Sequence, residues 1–485
     1  MTTSSPQSLT AGAHAEKSRL RRVMGLRDLV LFYIIAVVGL RWMPTAATLG
    51  PSALALWLLC FACFFLPLAF TVAELSSRYP EEGGIYVWVK QTCGDFQAFI
   101  TGWAYWMTNI FVFPAVLLFG ASNVVHAVAP RAAYASSKSL LVALAFLAIV
   151  IAITLNIVGL NVARWLHNAG GLLGNWLTAA ILIVMGMVAW LKFGPATDFH
   201  LPNLKPKLGS LSDILLLSNM AFAFAGLESA SSMSEEVRDP KRNIPRALLL
   251  AGASITFIYV VGTVSLLLAL PQDKTSQLVG ITDAIRVSGE RTVGAGFGAG
   301  LGTLSGLLLF ISETAGLSAW MAAIARLPFA VGLDGLLPRA FTRLHPRWHT
   351  PYVALLFGGG GIGLLLIASL AGQQAEQAYR MLVSLGVILY FIPYLYLFAA
   401  LIRSQRQPAA EGVIRVPGGR GGAYVVGATG FLVTALSIVL ACLPGKEVED
   451  RAIFFIKIFG AVGITLLAGA VVYALGRRRV RACEG

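Results

Sequence analysis

Long apolar stretches recur along the whole chain, and they dictate the solvent in which it folds. A segment needs roughly 20 apolar residues to cross the hydrocarbon core of a bilayer as a helix. Twelve such stretches lie near 26–49, 52–77, 95–127, 139–158, 165–192, 211–235, 244–270, 295–325, 351–371, 378–402, 422–443 and 453–476. Lipid offers no partners to backbone N–H and C=O groups, so stretches of this length predict helices and an all-α integral membrane protein of 12 transmembrane helices. Only 12% of the 485 residues are charged, about half the share in soluble domains, and no connection between spans has room for a separate soluble domain.

Two spans are interrupted at mid-depth. The sixth carries Glu228 inside an apolar run, followed by the small residues Ser229, Ala230, Ser231 and Ser232 and preceded by Gly226. A carboxyl group at that depth is costly unless neutralised, paired or solvated. Glycine weakens a helix, and serines compete for its backbone. The helix is therefore expected to break near Gly226–Ser229; a close helix crossing would also use small residues. The first span holds Gly39, Arg41 and Pro44. Proline removes a donor and pushes Met43 away from the α region, so a second break is expected there. Breaks five spans apart fit two inverted five-helix repeats (a LeuT-like arrangement) followed by two further helices, with a substrate or ion site at the breaks. The expected units are a tail over 1–24, a transport core over 25–403, a scaffold or oligomer-contact pair over 404–476 and a tail over 477–485.

The net charge of +14 suggests nucleic acid in a soluble protein. Here topology explains it. With both termini inside, 24 of the 37 Lys and Arg residues fall on the inner face, 12 on the outer, and Arg41 within a span. The positive-inside rule thus places both termini in the cytoplasm of a multi-pass cell-membrane protein, with lipid rather than nucleic acid as its surroundings. The first 24 residues lack the apolar core of a cleavable signal. Cys60-x-x-Cys63 has redox or metal spacing, but it lies in an apolar span without a nearby histidine and reads as packing. No metal-ligand spacing, phosphate-cradling loop or nucleophile–base constellation stands out, so no cofactor and no enzymatic activity are expected.

Further polar and aromatic residues mark the interior. Asn109 in WAYWMTNI needs a partner, either a neighbouring helix or a ligand, and Trp103, Tyr105 and Trp106 accompany it. Glu313 in the eighth span pairs with Arg41, serves as a second buried carboxylate or sits on a water path. Trp320 two turns on offers a flat surface for stacking or for the core. In the tenth span Gly386, Tyr390 and Tyr394 step by four along one face.

Several stretches together resemble the amino acid–polyamine–organocation (APC) transporter superfamily over nearly the whole chain: AELSSRYPEEGGIYVWV, AGLESASSMSEEVRDPKRNIPRAL, LSAWMAAIARLPFAVGLDGLLPRAFTRLHPRWHTP, SLGVILYFIPYLYLFAAL and IRVPGG. The likeness runs to bacterial glutamate/γ-aminobutyrate and arginine/agmatine antiporters and to plant-type polyamine carriers. It implies that Asn109 touches substrate, that Phe222 gates the site, that Glu228 couples to protons and that Trp320 packs on the substrate. Two departures stand out. The first helix usually carries Gly-Ser-Gly, whose amides hold a carboxylate, and here reads Val38, Gly39, Leu40, Arg41. The fifth helix carries GGLLGNWL and no lysine.

The function expected is secondary active transport of amino acids or related amines by alternating access, through exchange or proton symport. The alternatives are a polyamine carrier and a non-transporting ligand sensor. Candidate substrate-binding positions are Val38, Gly39, Leu40, Arg41, Ala104, Tyr105, Asn109, Phe222, Ala225, Gly226, Trp320 and Gly386. Candidate gating or coupling positions are Phe222, Glu228, Glu313, Tyr390 and Tyr394. Arg41 needs an anionic partner, which Glu228, Glu313 or the substrate's own carboxylate can supply; facing the break it is expected to grip that carboxylate in place of the missing glycine amides, and facing away it is a structural ion-pair partner. Protons and a second copy of the chain are the other partners considered.

Overall fold

A computed structural model describes residues 25–79, 83–128, 138–206, 211–229, 237–325, 328, 336–371, 374–444 and 451–484. The N-terminal tail and the small residues Ala230, Ser231 and Ser232 lie outside the described residues. Helices run in the order α1 (Leu26–Val37), α2 (Trp42–Ala47), α3 (Ser52–Arg78), α4 (Ile85–Cys93), α5 (Asp95–Val128), α6 (Lys138–Val158), α7 (Trp165–Phe193), α8 (Leu211–Phe222), α9 (Pro240–Ala269), α10 (Gly280–Thr292), α11 (Ala295–Ile324), α12 (Tyr352–Leu370), α13 (Ala375–Ser404), α14 (Gly419–Ala441) and α15 (Arg451–Glu484). Ten of these, among the described residues, are long and apolar enough to cross a membrane. They match ten of the expected spans to within a few residues; the remaining two expected spans are the interrupted ones.

The first interruption lies at Val38–Arg41, between α1 and α2. One expectation fails here. Pro44 does not break the helix, and Met43 is helical; both lie in the first turn of α2. The amides of a first turn have no intrahelical acceptor, so proline costs nothing there. The second interruption begins earlier than expected. Helix α8 ends at Phe222, Ala223–Gly226 leaves the helix, and a short 3₁₀ turn covers 227–229. Gly226 adopts φ +117°, a conformation that suits glycine alone.

The walls around the interruptions come from close helix approaches. Residues Gly170–Leu177 of α7 wind as a π-helix, a widening often found at functional sites. Its glycines press on α11: a Cβ on Gly174 would stand 2.5 Å from Cβ of Ser312, and one on Gly170 2.1 Å from Cβ of Ala315. Helix α5 packs against both α11 and α13. Gly120 faces Glu313, and a Cβ on Gly386 would meet the Val112 side chain at 2.5 Å.

Two of the family-like stretches meet at one end of the bundle. Glu74 of AELSSRYP is almost fully buried. It accepts hydrogen bonds from Arg78 (2.9 Å), Gln405 (2.7 Å) and the amide of Val416 (2.9 Å) in IRVPGG. The Ile414 amide donates to Ser77 at 3.0 Å. A buried carboxylate needs such donors, and here they sew the end of α3 to the segment between α13 and α14. The sequence reading had no element between the seventh and eighth spans. The structure puts α10 there, tied to α5 through Asn123, which donates to the Leu278 carbonyl (2.8 Å) and accepts from Thr282 (2.6 Å).

Candidate functional site

The two interruptions face each other, and a residue the sequence reading did not single out joins them. The Tyr259 hydroxyl, on α9, accepts from the Gly39 amide at 3.2 Å. It lies 3.0 Å from the Val37 carbonyl and 3.0 Å from the Ala223 carbonyl. One side chain therefore serves backbone groups freed at both breaks, which buried backbone requires. Its ring stacks on Trp57 at 4.6 Å between centroids, and the Trp57 indole donates to Thr263 at 3.1 Å. Nothing in the sequence separates Tyr259 from other tyrosines in apolar helices; its partners come from α1 and from the segment after α8.

Beside the breaks lies a cavity of about 100 Å³. Val38, Gly39, Arg41, Asn109, Phe222, Ala225, Glu313, Trp320 and Tyr390, all expected at the site, line it. Thr108, Asn175 and Ser312 add polar groups that the sequence reading missed. Ser312 donates to the Asn175 side chain at 2.7 Å, a contact made possible by the glycine seam between α7 and α11. Asn109 spends its amide hydrogens on the Tyr105 (3.0 Å) and Trp106 (3.1 Å) carbonyls of its own helix. The Asn109 carbonyl oxygen is what it offers the cavity.

Aromatic rings close one side. Phe222 stands edge-on to Trp42 at 5.5 Å, to Tyr390 at 5.3 Å and to Phe391 at 5.7 Å. Trp320 meets Tyr390 at 6.3 Å. Edge-to-face contacts of this kind are a favoured arrangement of aromatic pairs.

Leu40, Ala104, Tyr105, Gly226, Glu228, Gly386 and Tyr394 do not line this cavity. Gly386 sits where α13 presses on Val112 of α5. Tyr105 turns its hydroxyl to Glu228 at 2.8 Å instead of lining the pocket. Glu228 accepts also from Tyr390 at 2.7 Å and from Tyr394. The Tyr394 hydroxyl in turn accepts from the Gly226 amide at 2.8 Å. The carboxylate thus joins α5 and α13 to the second break, and Tyr390 touches both this cluster and the cavity.

Of the partners open to Arg41, the structure selects Glu313. The contact is one hydrogen bond, Nη1 to Oε2, at 3.3 Å. The guanidinium also lies over the Trp42 ring, 4.8 Å from its centroid. Arginine cannot shed its charge, so a membrane interior demands such a counter-ion.

The sequence model of a family described as amino acid permease matches residues 24–466. The chain is also 26% identical over 447 residues to an uncharacterized transporter of Legionella pneumophila, covering 92% of this chain and 95% of that protein. It is 26% identical to the branched-chain amino acid permease BcaP of Bacillus subtilis, covering 85% and 87% of the two chains. It is 23% identical to a probable agmatine/putrescine antiporter, AguD, of Lactococcus lactis, covering 83% and 84%.

Proposed function

The chain belongs to the amino acid permease family, a family of membrane transporters rather than enzymes, and from that premise we propose that it is a secondary active transporter working by alternating access on amino acids or related amines. The observation that carries the mechanism is the meeting of two interrupted helices at one cavity, with Arg41, Glu313, Asn109, Phe222 and Trp320 on its walls. Discontinuous helices give a substrate site free backbone groups and give the fold a hinge. In this reading the first ten spans form two inverted repeats, α14 and α15 are added scaffold, and both termini face the cytoplasm of the cell membrane. Phe222 closes over the substrate.

Glu228 is the coupling group in this proposal. Three tyrosine hydroxyls and the Gly226 amide link it to the second break. Gain or loss of a proton there would change which hydroxyls donate, and so the shape of the break. The drive is then exchange or proton symport. A second reading, an amine carrier, draws on Glu313 at the cavity and on the similarity to an agmatine/putrescine antiporter. A ligand sensor that moves little is the third. Purified chain in proteoliposomes separates them: substrate-driven flux of a labelled amino acid supports the first reading, flux of putrescine alone the second, and binding without flux the third.

A further inference from the structure

Arg41 and Glu313 are the only charged residues among the described residues lining the cavity. They come from different parts of the fold, the first break and α11, and their side chains are 17% and 7% exposed. Their single 3.3 Å contact is long for a charge-assisted hydrogen bond, which runs about 2.7–2.9 Å. A bidentate grip would use two guanidinium donors; here one is used. The pair is closed enough to neutralise both charges and loose enough to open.

Two of the backbone donors at this break are already engaged. The Val38 amide is spent on the Ile34 carbonyl at 2.8 Å. The Gly39 amide is spent on Tyr259. The Arg41 guanidinium is the charged donor that a ligand carboxylate meets at this break.

Resting on the transport reading above, we infer that the Arg41–Glu313 pair is the specificity-determining element of the cavity and that its ligand is a small zwitterion. The ligand carboxylate takes the guanidinium, the ligand ammonium takes the Glu313 carboxylate, and the internal pair opens. Every charge keeps a counter-charge through this exchange. A compound carrying positive charge alone pairs with Glu313 and strands Arg41. An anion pairs with Arg41 and leaves Glu313 either unpaired or obliged to take up a proton. Each outcome carries a cost that a zwitterion avoids, so the site disfavours both. An uncharged solute gives neither residue a reason to part.

Size points the same way. An engineered apolar cavity of ~150 Å³ takes up benzene; one of about 100 Å³ suits a ligand no larger than that ring. The shortest α-amino acids meet this limit.

Isothermal titration of the purified protein with a matched set tests the inference: L-alanine, its deaminated analogue propionate, its decarboxylated analogue ethylamine, putrescine and L-arginine. L-Alanine is expected to bind, and each of the other four about 10-fold or more weakly. Glu313→Gln should raise propionate affinity relative to L-alanine, and Arg41→Gln should raise ethylamine affinity relative to L-alanine. This reciprocal change in charge preference is something a merely structural ion pair does not produce. Putrescine, ethylamine or L-arginine binding the unmodified protein as tightly as L-alanine overturns the inference, as does failure of L-alanine to bind or an unchanged preference in both folded variants. The ligand series on the unmodified protein decides alone if a variant fails to fold. In proteoliposomes, flux of putrescine without any amino acid overturns this inference and leaves transport standing; absence of flux for every amino acid and amine overturns the transport reading itself.

Discussion

The Tyr259 hydroxyl stands 3.0 Å from the carbonyl oxygen of Ala223, in the segment where α8 has just ended. The Tyr259 hydroxyl oxygen also accepts from the Gly39 amide of the other break. The two interrupted spans are thus held in register through one atom on a third helix. Tyr259→Phe keeps the ring and its stack on Trp57 and removes only that atom. Backbone groups left unsatisfied in a buried site cost about 1–3 kcal/mol. The variant should melt at a lower temperature in detergent and carry less flux in proteoliposomes. An unaltered melting temperature with normal flux would show that the breaks hold themselves.

Phe222 makes edge contacts with Trp42, Tyr390 and Phe391 while bordering the cavity. A buried Phe→Ala change costs about 3–5 kcal/mol. Space is already present beside Phe222, so its truncation should cost less, about 1–2 kcal/mol on the same scale. Transport should fall much further than stability. Flux measured at limiting and at saturating substrate, alongside melting curves, checks this; parental flux in both regimes removes Phe222 from the gate.

Glu228 accepts from three tyrosine hydroxyls on two helices. Glu228→Gln preserves shape and cannot exchange a proton. A tyrosine hydroxyl can turn and accept from the new amide, so binding should survive while the pH dependence of flux flattens. Tyr394→Phe, which removes the link to the Gly226 amide, should weaken flux without flattening that profile. A Glu228→Gln protein whose flux follows pH as the parent does would sink the coupling role.

Asp283 on α10 lies outside the spans. Burial pushes its carboxyl up, but His126 at 2.7 Å and Arg286 at 3.1 Å outweigh this and hold it below the usual carboxylate range. A carboxyl depressed on folding stabilises the protein above its unfolded value of about 3.9, and the contribution disappears as pH falls through the folded value. Asp283→Asn should therefore lower the melting temperature at neutral pH, with the gap to the parent closing only as pH falls below about 3.9 and through the depressed folded value. A gap that stays constant across this range would mean that packing, not charge, sets the effect.

The sequence by itself determined the spans and the fact of the breaks, because both depend on local composition. Twenty apolar residues can do little in lipid except form a helix, and α5, expected over 95–127, runs Asp95–Val128. Gly39 and Gly226 weaken their helices wherever those helices lie. The sequence also marked Arg41, Glu228 and Glu313 as costly in an apolar setting. Which partner meets each cost was decided only by the tertiary structure. Arg41 took Glu313, a residue of α11 that packs on Gly120 of α5. Tyr105, one turn from Asn109 on α5, turned from the cavity because Glu228 stood beside it. Gly386 became a packing residue because Val112 lies opposite. Pro44 fell in a first turn, and the second break moved back to Ala223, where Tyr259 receives the freed carbonyl. A membrane span announces its polar groups, since burying them is expensive wherever they go; the neighbour that relieves the expense comes from another helix, up to 272 residues away in the case of Arg41 and Glu313, and no local pattern encodes which helix that will be.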